Sequence, residues 1–152
     1  MTAALSYEKH LPEFGTLDEA RTQLFVRRDQ LLERLSRVDA TAAIGLDTTP
    51  ESLKRLEAWY FTLLPDNHFA EAGLDRDTLE AAIPQYLGAV VVHNLPAFSW
   101  LVAEYAFAPG RYEIGITRGL YTVMLTAPAD LSARASNQRH QSLWREYKKC
   151  AA

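Results

Sequence analysis

The stretch Tyr86–Trp100, YLGAVVVHNLPAFSW, decides how this chain is read. It is densely apolar, and the period of its apolar residues changes inside it. Before Pro96 the period is helical: Leu79, Ile83, Tyr86, Leu87, Val90 and Asn94 follow one face. After Pro96 it is two: Phe98, Trp100 and Val102 alternate with Ser99, Leu101 and Ala103. A helix hands the chain to a sheet here. The run Ala89–Val92 alone could form a strand, but its place in the periodic segment favours helix. His93 falls at the helix C-terminus, where the dipole suits it, and Asn94 is placed to cap the helix or turn left-handed. Gly88 in mid-helix costs about 1 kcal/mol against alanine, which predicts close packing of another element there. Pro84 removes a hydrogen bond to residue 80 and predicts a kink or a split into two short helices.

Downstream, FAPGR (residues 107–111) reads as a turn, and Tyr112, Ile114 and Ile116 alternate with Glu113, Gly115 and Thr117. Arg118-Gly119 suits a two-residue hairpin loop. That loop sets Ile116 opposite Tyr121, Ile114 opposite Val123 and Tyr112 opposite Leu125, so apolar residues meet on one face. The expectation is a three-stranded antiparallel meander with strands near 98–105, 112–117 and 121–125.

Upstream, Thr16 to Glu19 form a capping box. Leu17, Ala20, Leu24, Leu31, Leu35 and Val38 continue one helical face, supported by a Glu33–Arg37 pair on the surface. Ile44-Gly45-Leu46 reads as a short extended piece. A second helix starts at Thr48 or Thr49 with Pro50 in its first turn, buries Leu53, Leu56, Tyr60, Leu63 and Leu64, and stops at Pro65. Asp77 to Glu80 read as the cap of the third helix. A basic helix over 134–149, with His140, Leu143, Trp144 and Tyr147 on one face, closes the chain. With 1–15 as an irregular lead-in, residues 1–152 read as a single α+β domain: about four helices packed on the small three-stranded sheet.

The totals exclude several function classes. With 48% apolar and 23% charged residues the chain has the composition of a soluble globular protein. It has no apolar run of about 18 residues, so no membrane span is expected, and its start lacks the basic-then-apolar order of a secretory leader. Its one cysteine, Cys150, cannot form an internal disulfide and falls beyond the expected last helix. A cytoplasmic location fits. Net charge is -3. Residues 134–149 carry five basic side chains (Arg134, Arg139, Arg145, Lys148, Lys149) against Glu146, which leaves the rest of the chain strongly acidic. An acidic body argues against a duplex-binding surface, and nucleic-acid contact through the basic tail is a weaker reading than the two that follow.

No catalytic motif stands out. Gly110 to Gly115 have phosphate-loop spacing but lack the following Lys-Ser/Thr, and they lie in a strand. His10, His68, His93 and His140 are scattered over different elements. No metal, cofactor or catalytic residue is therefore expected. Glu104 and Glu113 fall on opposite sheet faces if Ala106 pairs with Tyr112. Glu104 sits on the apolar side, either as a pocket acid partnered by Arg111 or His93, or as a strand end that has reached solvent.

Two functions follow. The outer sheet face, with Leu101, Tyr105 and Met124, is less polar than a solvated face, which points to cover by the last helix, a protein partner or a second copy. This reading is a non-enzymatic interaction module, immunity-type or accessory. The alternative is a small-ligand protein, or an unrecognised enzyme, with a pocket between the sheet and the helix at 79–94, lined by His93, Trp100, Glu104 and Tyr112.

The chain also resembles small bacterial domains of unknown function. The matching residues are Asp47, Glu51-Ser52-Leu53 and Leu56, then Tyr86-Leu87-Gly88, then Trp100, with a closing NQRHQSLWREYKK. The resemblance covers about residues 44–125. Such domains often carry an acid after the YLG glycine, where this chain has Ala89. The resemblance implies no activity, and at most an interaction or immunity-type role.

Overall fold

The computed structural model describes residues 11–38, 43–127 and 141–152. His10, His140, Arg134, Arg139 and the expected start of the last helix lie outside them. Helices α1 (Leu17–Arg37), α2 (Pro50–Leu63) and α3 (Arg76–Asn94) precede strands β1 (Ser99–Glu104), β2 (Tyr112–Arg118) and β3 (Tyr121–Met124), and helix α4 (Ser142–Ala151) follows. The strands form one antiparallel sheet in the order β1-β2-β3. The α+β meander is thus as the sequence predicts.

Local chemistry sets the helix ends. Thr16 accepts the Glu19 N–H at 3.1 Å, and Glu19 reaches back to the Gly15 N–H. Thr49 caps α2 with Pro50 in the first turn. The cap of α3 is Asp75, which accepts the Thr78 N–H at 3.1 Å; Asp77 lies inside the first turn. Two acids in one turn compete for the cap, and the one three residues before a free N–H takes it. Ile44 ends a helical turn and Gly45 bends the chain at φ +73°, so no extended piece forms there. Helix α3 runs unbroken through Pro84. Its buried residues include the unbroken run from Ala82 to Gly88, which covers every side of the helix, and tertiary packing outweighs one lost hydrogen bond.

The hairpin loop is Gly119-Leu120, not Arg118-Gly119: Arg118 pairs with Tyr121 and Ile116 with Val123. Gly119 has φ +59°, and a tight hairpin needs a positive φ at its first loop residue. Arg118 is drawn into β2, where it donates to the Cys150 carbonyl at 3.0 Å and lies over Phe98 and Tyr121. Between β1 and β2, Glu104 pairs with Tyr112 and Val102 with Ile114. Both registers differ from expectation by two residues. A slip of two keeps every side chain on its face, so Tyr112, Ile114 and Ile116 remain buried.

Helix α3 is the hub, touching α1, α2, α4, β1 and β2. Two apolar cores lie along it and the sheet. The larger joins α2, α3, α4 and Ile116; the smaller joins Ala20, Leu24, Val102, Tyr112 and Ile114, and Trp100 packs against both. Helix α4 includes Cys150, which is buried, so the thiol is not at a frayed end. The helix is anchored by Glu57 of α2. This buried carboxylate accepts the Ser142 N–H and hydroxyl and the Leu143 N–H at 2.7 to 3.0 Å. It supplies the N-terminal cap that Gln141 does not, a charge-assisted arrangement favoured by the helix dipole. Helix α4 packs on α2 and α3.

A Cβ at Gly88 would lie 2.6 Å from both Trp100 and Leu125. Gly88→Ala gains about 1 kcal/mol of helix propensity but forces a well-packed seam apart at a cost of about 1 to 3 kcal/mol. The expected outcome is net destabilisation, read as a lower urea midpoint; an unchanged or higher midpoint contradicts this packing.

Candidate functional site

The four residues expected to line a pocket do not converge. His93 is exposed in the last turn of α3. Glu104 is exposed at the end of β1 and accepts the Gly110 N–H at 3.0 Å, which makes it part of the turn; neither Arg111 nor His93 is the partner. Arg111 instead pairs with Glu13 at 2.7 Å. Tyr112 is buried in the smaller core, edge-on to Phe14. Trp100 is half-buried and stacks on the Arg28 guanidinium, 4.7 Å from its ring centre.

A cavity of about 650 Å³ lies instead between α1, the N-terminal half of α3, β2 and the segment Leu11–Phe14. That segment is not a loose lead-in. Tyr112 N–H donates to the Pro12 carbonyl at 3.1 Å and Phe14 N–H to the Gly110 carbonyl at 3.0 Å, so it pairs beside the start of β2. Leu11, Phe14, Leu24, Leu31 and Ile114 give the cavity its apolar walls. Its polar groups are Gln23, Arg27, Arg28, Gln30, Gln85 and Thr126.

These polar groups differ in how far they are already engaged. Thr126 Oγ1 accepts the Ile114 N–H at 2.8 Å. Arg28 bonds Asp29 at 2.9 Å and is held between Phe25 and Trp100. Gln85 is 4% exposed. Its Nε2 donates to the Leu125 carbonyl at 2.9 Å, which fixes the amide orientation, since a carbonyl accepts only from the nitrogen. Oε1 is then left buried with no hydrogen-bond partner. Such an orphan costs about 1 to 3 kcal/mol, and native structures hold few of them.

Of the expected site, Trp100 reaches this cavity through Arg28, and Tyr112 stands behind Phe14. His93 lies eight residues beyond Gln85 on α3, about 12 Å along the axis at the usual helical rise. Gln85 was passed over in the sequence; its signal is a lone amide inside a run of apolar helix positions. Glu57 is a similar case, one residue from Leu56 on the buried stripe of α2.

On the outer face, Leu101, Gly115 and Met124 form one row across the three strands. Met124 is exposed, while Leu101 and Tyr105 are half-buried. Among the described residues, no His, Cys, Asp and Glu group is arranged to hold a metal ion, and no helix is long and apolar enough to cross a membrane.

These features define a class: a small α+β domain with its helices on one face of a three-stranded meander and a cavity between the layers. The family model described as uncharacterised protein YwmA matches residues 13–151. The uncharacterised protein YwmA of Bacillus subtilis (strain 168) is 30% identical over 112 residues, which are 74% of this chain and 71% of that protein. The chain belongs to the YwmA family. No solved structure matches it.

Titration bears on the segment that the resemblance singles out. The Thr49 hydroxyl and N–H hold the Asp47 carboxyl below its usual 3.8, and Thr78 does the same for Asp75. Their stabilisation is present above that value and fades as pH falls through their lowered pKa. Burial pushes the Tyr86 phenol above 10.0 and the Cys150 thiol above 9.0. Their neutral forms are favoured in the fold, so that stabilisation is complete below those values and is lost as pH rises through the raised pKa. Urea unfolding across pH should therefore show a plateau from about pH 5 to 8 and a decline on both sides. Tyr86→Phe should make the alkaline decline shallower; stability that rises above pH 9 would contradict the assignment.

Proposed function

We propose that this protein binds a small molecule in the cavity between α1, α3 and β2. The observation that carries the reading is the cavity itself, about 650 Å³ with apolar walls and the polar side chains of Gln23, Arg27, Arg28, Gln30, Gln85 and Thr126 on its lining. The volume falls within the range of small-molecule sites, and the mix of apolar walls with a few polar groups is the usual composition. The test is native mass spectrometry of protein purified gently from its own host. A co-purified small-molecule mass is expected, and Ala81→Phe, which fills the cavity from α3, should lose it. A bare mass for both proteins would overturn the reading.

The second reading is a non-enzymatic interaction module, favoured by Phe107 and Leu120, which are 79% and 105% exposed, and by the open edge of β3 beside Met124. An exposed edge strand invites pairing with another chain, and a second copy is the simplest partner. Sedimentation at micromolar concentration would then give a dimer that Met124→Lys dissociates. A monomer at all concentrations contradicts self-association.

A further inference from the structure

We propose that residues 11–14 are a strap that opens independently of the rest of the fold, and that small molecules enter and leave the cavity through this opening. The use of the opening rests on the cavity reading above. The opening itself rests on how the strap is tied.

Leu11, Pro12 and Phe14 form one wall of the cavity, and most of the remaining lining comes from α1, α3 and β2. The strap belongs to no helix and to no strand of the sheet. Its polar ties converge on Gly110, Arg111 and Tyr112. Tyr112 N–H donates to the Pro12 carbonyl, and Phe14 N–H donates to the Gly110 carbonyl. The Arg111 guanidinium holds both the Leu11 carbonyl and the Glu13 carboxylate. Arg111 is the latch, since one side chain grips two of the four residues. Strand β2 does not need the strap. On its other edge the Tyr105 N–H donates to the Arg111 carbonyl at 2.8 Å, and Glu104 pairs with Tyr112. Release of the strap therefore breaks no bond of the three-stranded sheet. Gly15 alone separates it from Thr16, the cap of α1, and a glycine at the end of an element suits a hinge. A segment held by so few ties opens at far lower cost than the whole domain. Apolar packing closes it again: Leu11 is 1% exposed, and Phe14 lies edge-on to Tyr112. Both side chains leave with the strap, which uncovers Leu24, Leu31 and Ile114 on the other walls.

Glu13 and Arg111 face each other as an antiparallel pair flanked by the two backbone hydrogen bonds. The Cα atoms of such a pair lie about 4.5 Å apart, within the span of a disulfide. The double variant Glu13→Cys/Arg111→Cys thus removes the latch when reduced and locks the strap when oxidised. The one native cysteine, Cys150, is buried and stands apart from this exchange. Hydrogen exchange followed by NMR reads the opening without any ligand. In the native chain the Phe14 and Tyr112 amides should be protected at least about tenfold less than those of Tyr105 and Leu125, whose bonds lie on the sheet side. The reduced variant should lose about tenfold more protection at Phe14 and Tyr112, as the loss of a charge-assisted tie implies. Oxidation should raise protection there above the native level. Arg111→Gln, at a half-buried position, gives the same reading if the reduced double variant does not fold. Equal protection at all four amides, unmoved by the lock, would overturn the strap.

The molecule that co-purifies in the native mass spectrum tests what the opening serves. Its loss on dilution should be slower by about tenfold or more with the lock oxidised than reduced, in step with the exchange rates. Equal loss rates would overturn the entry route and leave the cavity reading standing. A bare spectrum would overturn the cavity reading and the entry route with it, while the exchange rates still decide whether the strap opens.

Discussion

Helix α3 lies against the sheet as closely as it does because Gly88 has no side chain. Trp100 and Leu125 occupy the space where a Cβ would be. This seam organises the molecule in both directions. Trp100 contacts both apolar cores, so the seam joins them. One turn earlier, Gln85 ties α3 to the Leu125 carbonyl. On another side of the helix, Tyr86 OH accepts the Thr48 N–H at 3.0 Å and shares a 2.7 Å hydrogen bond with Ser52, while Asn94 donates to the Thr48 carbonyl. The chain entering α2 is thereby fastened to α3, and Glu57 of α2 fastens α4.

The short motifs of the family resemblance take their meaning from this arrangement. Asp47 accepts from Thr49 and Arg55, Ser52 bonds Tyr86, and Gly88 receives Trp100. Asp47, Ser52, Tyr86 and Gly88 thus serve to hold the fold together. Gln85 and Arg27, which line the cavity, lie outside those motifs. On the proposed reading, ligand recognition falls to residues other than those that hold the fold, which is common when a site is built on a rigid scaffold.

The sequence shows the architecture through periodicity, and periodicity is what survives error. The two hairpin registers shifted by two residues, yet the same side chains stay inside because a strand repeats every two. The position of Gly119, which needs the first loop site, decided the shift. Asp75 rather than Asp77 caps α3 because capping depends on which N–H lies three residues ahead, a contest that composition cannot judge. The site was less legible. His93 and Glu104 drew notice as polar residues beside an apolar stretch, and both proved to be exposed ends of elements. Gln85 and Glu57 are two of the buried polar residues, and their roles depend on partners 40 and 85 residues away. No local pattern encodes such pairs.

The central claim is that the cavity between α1, α3 and β2 takes a small-molecule ligand. NMR of uniformly 15N-labelled protein, as purified gently from its own host and again after unfolding and refolding to strip any ligand, tests it most directly. The account predicts shifts at the Gln85 side-chain amide, along Gln23–Leu31 of α1 and at Ile114, with the outer-face residues Leu101 and Met124 unmoved. No shifts at these positions, or shifts confined to the outer face, would contradict it.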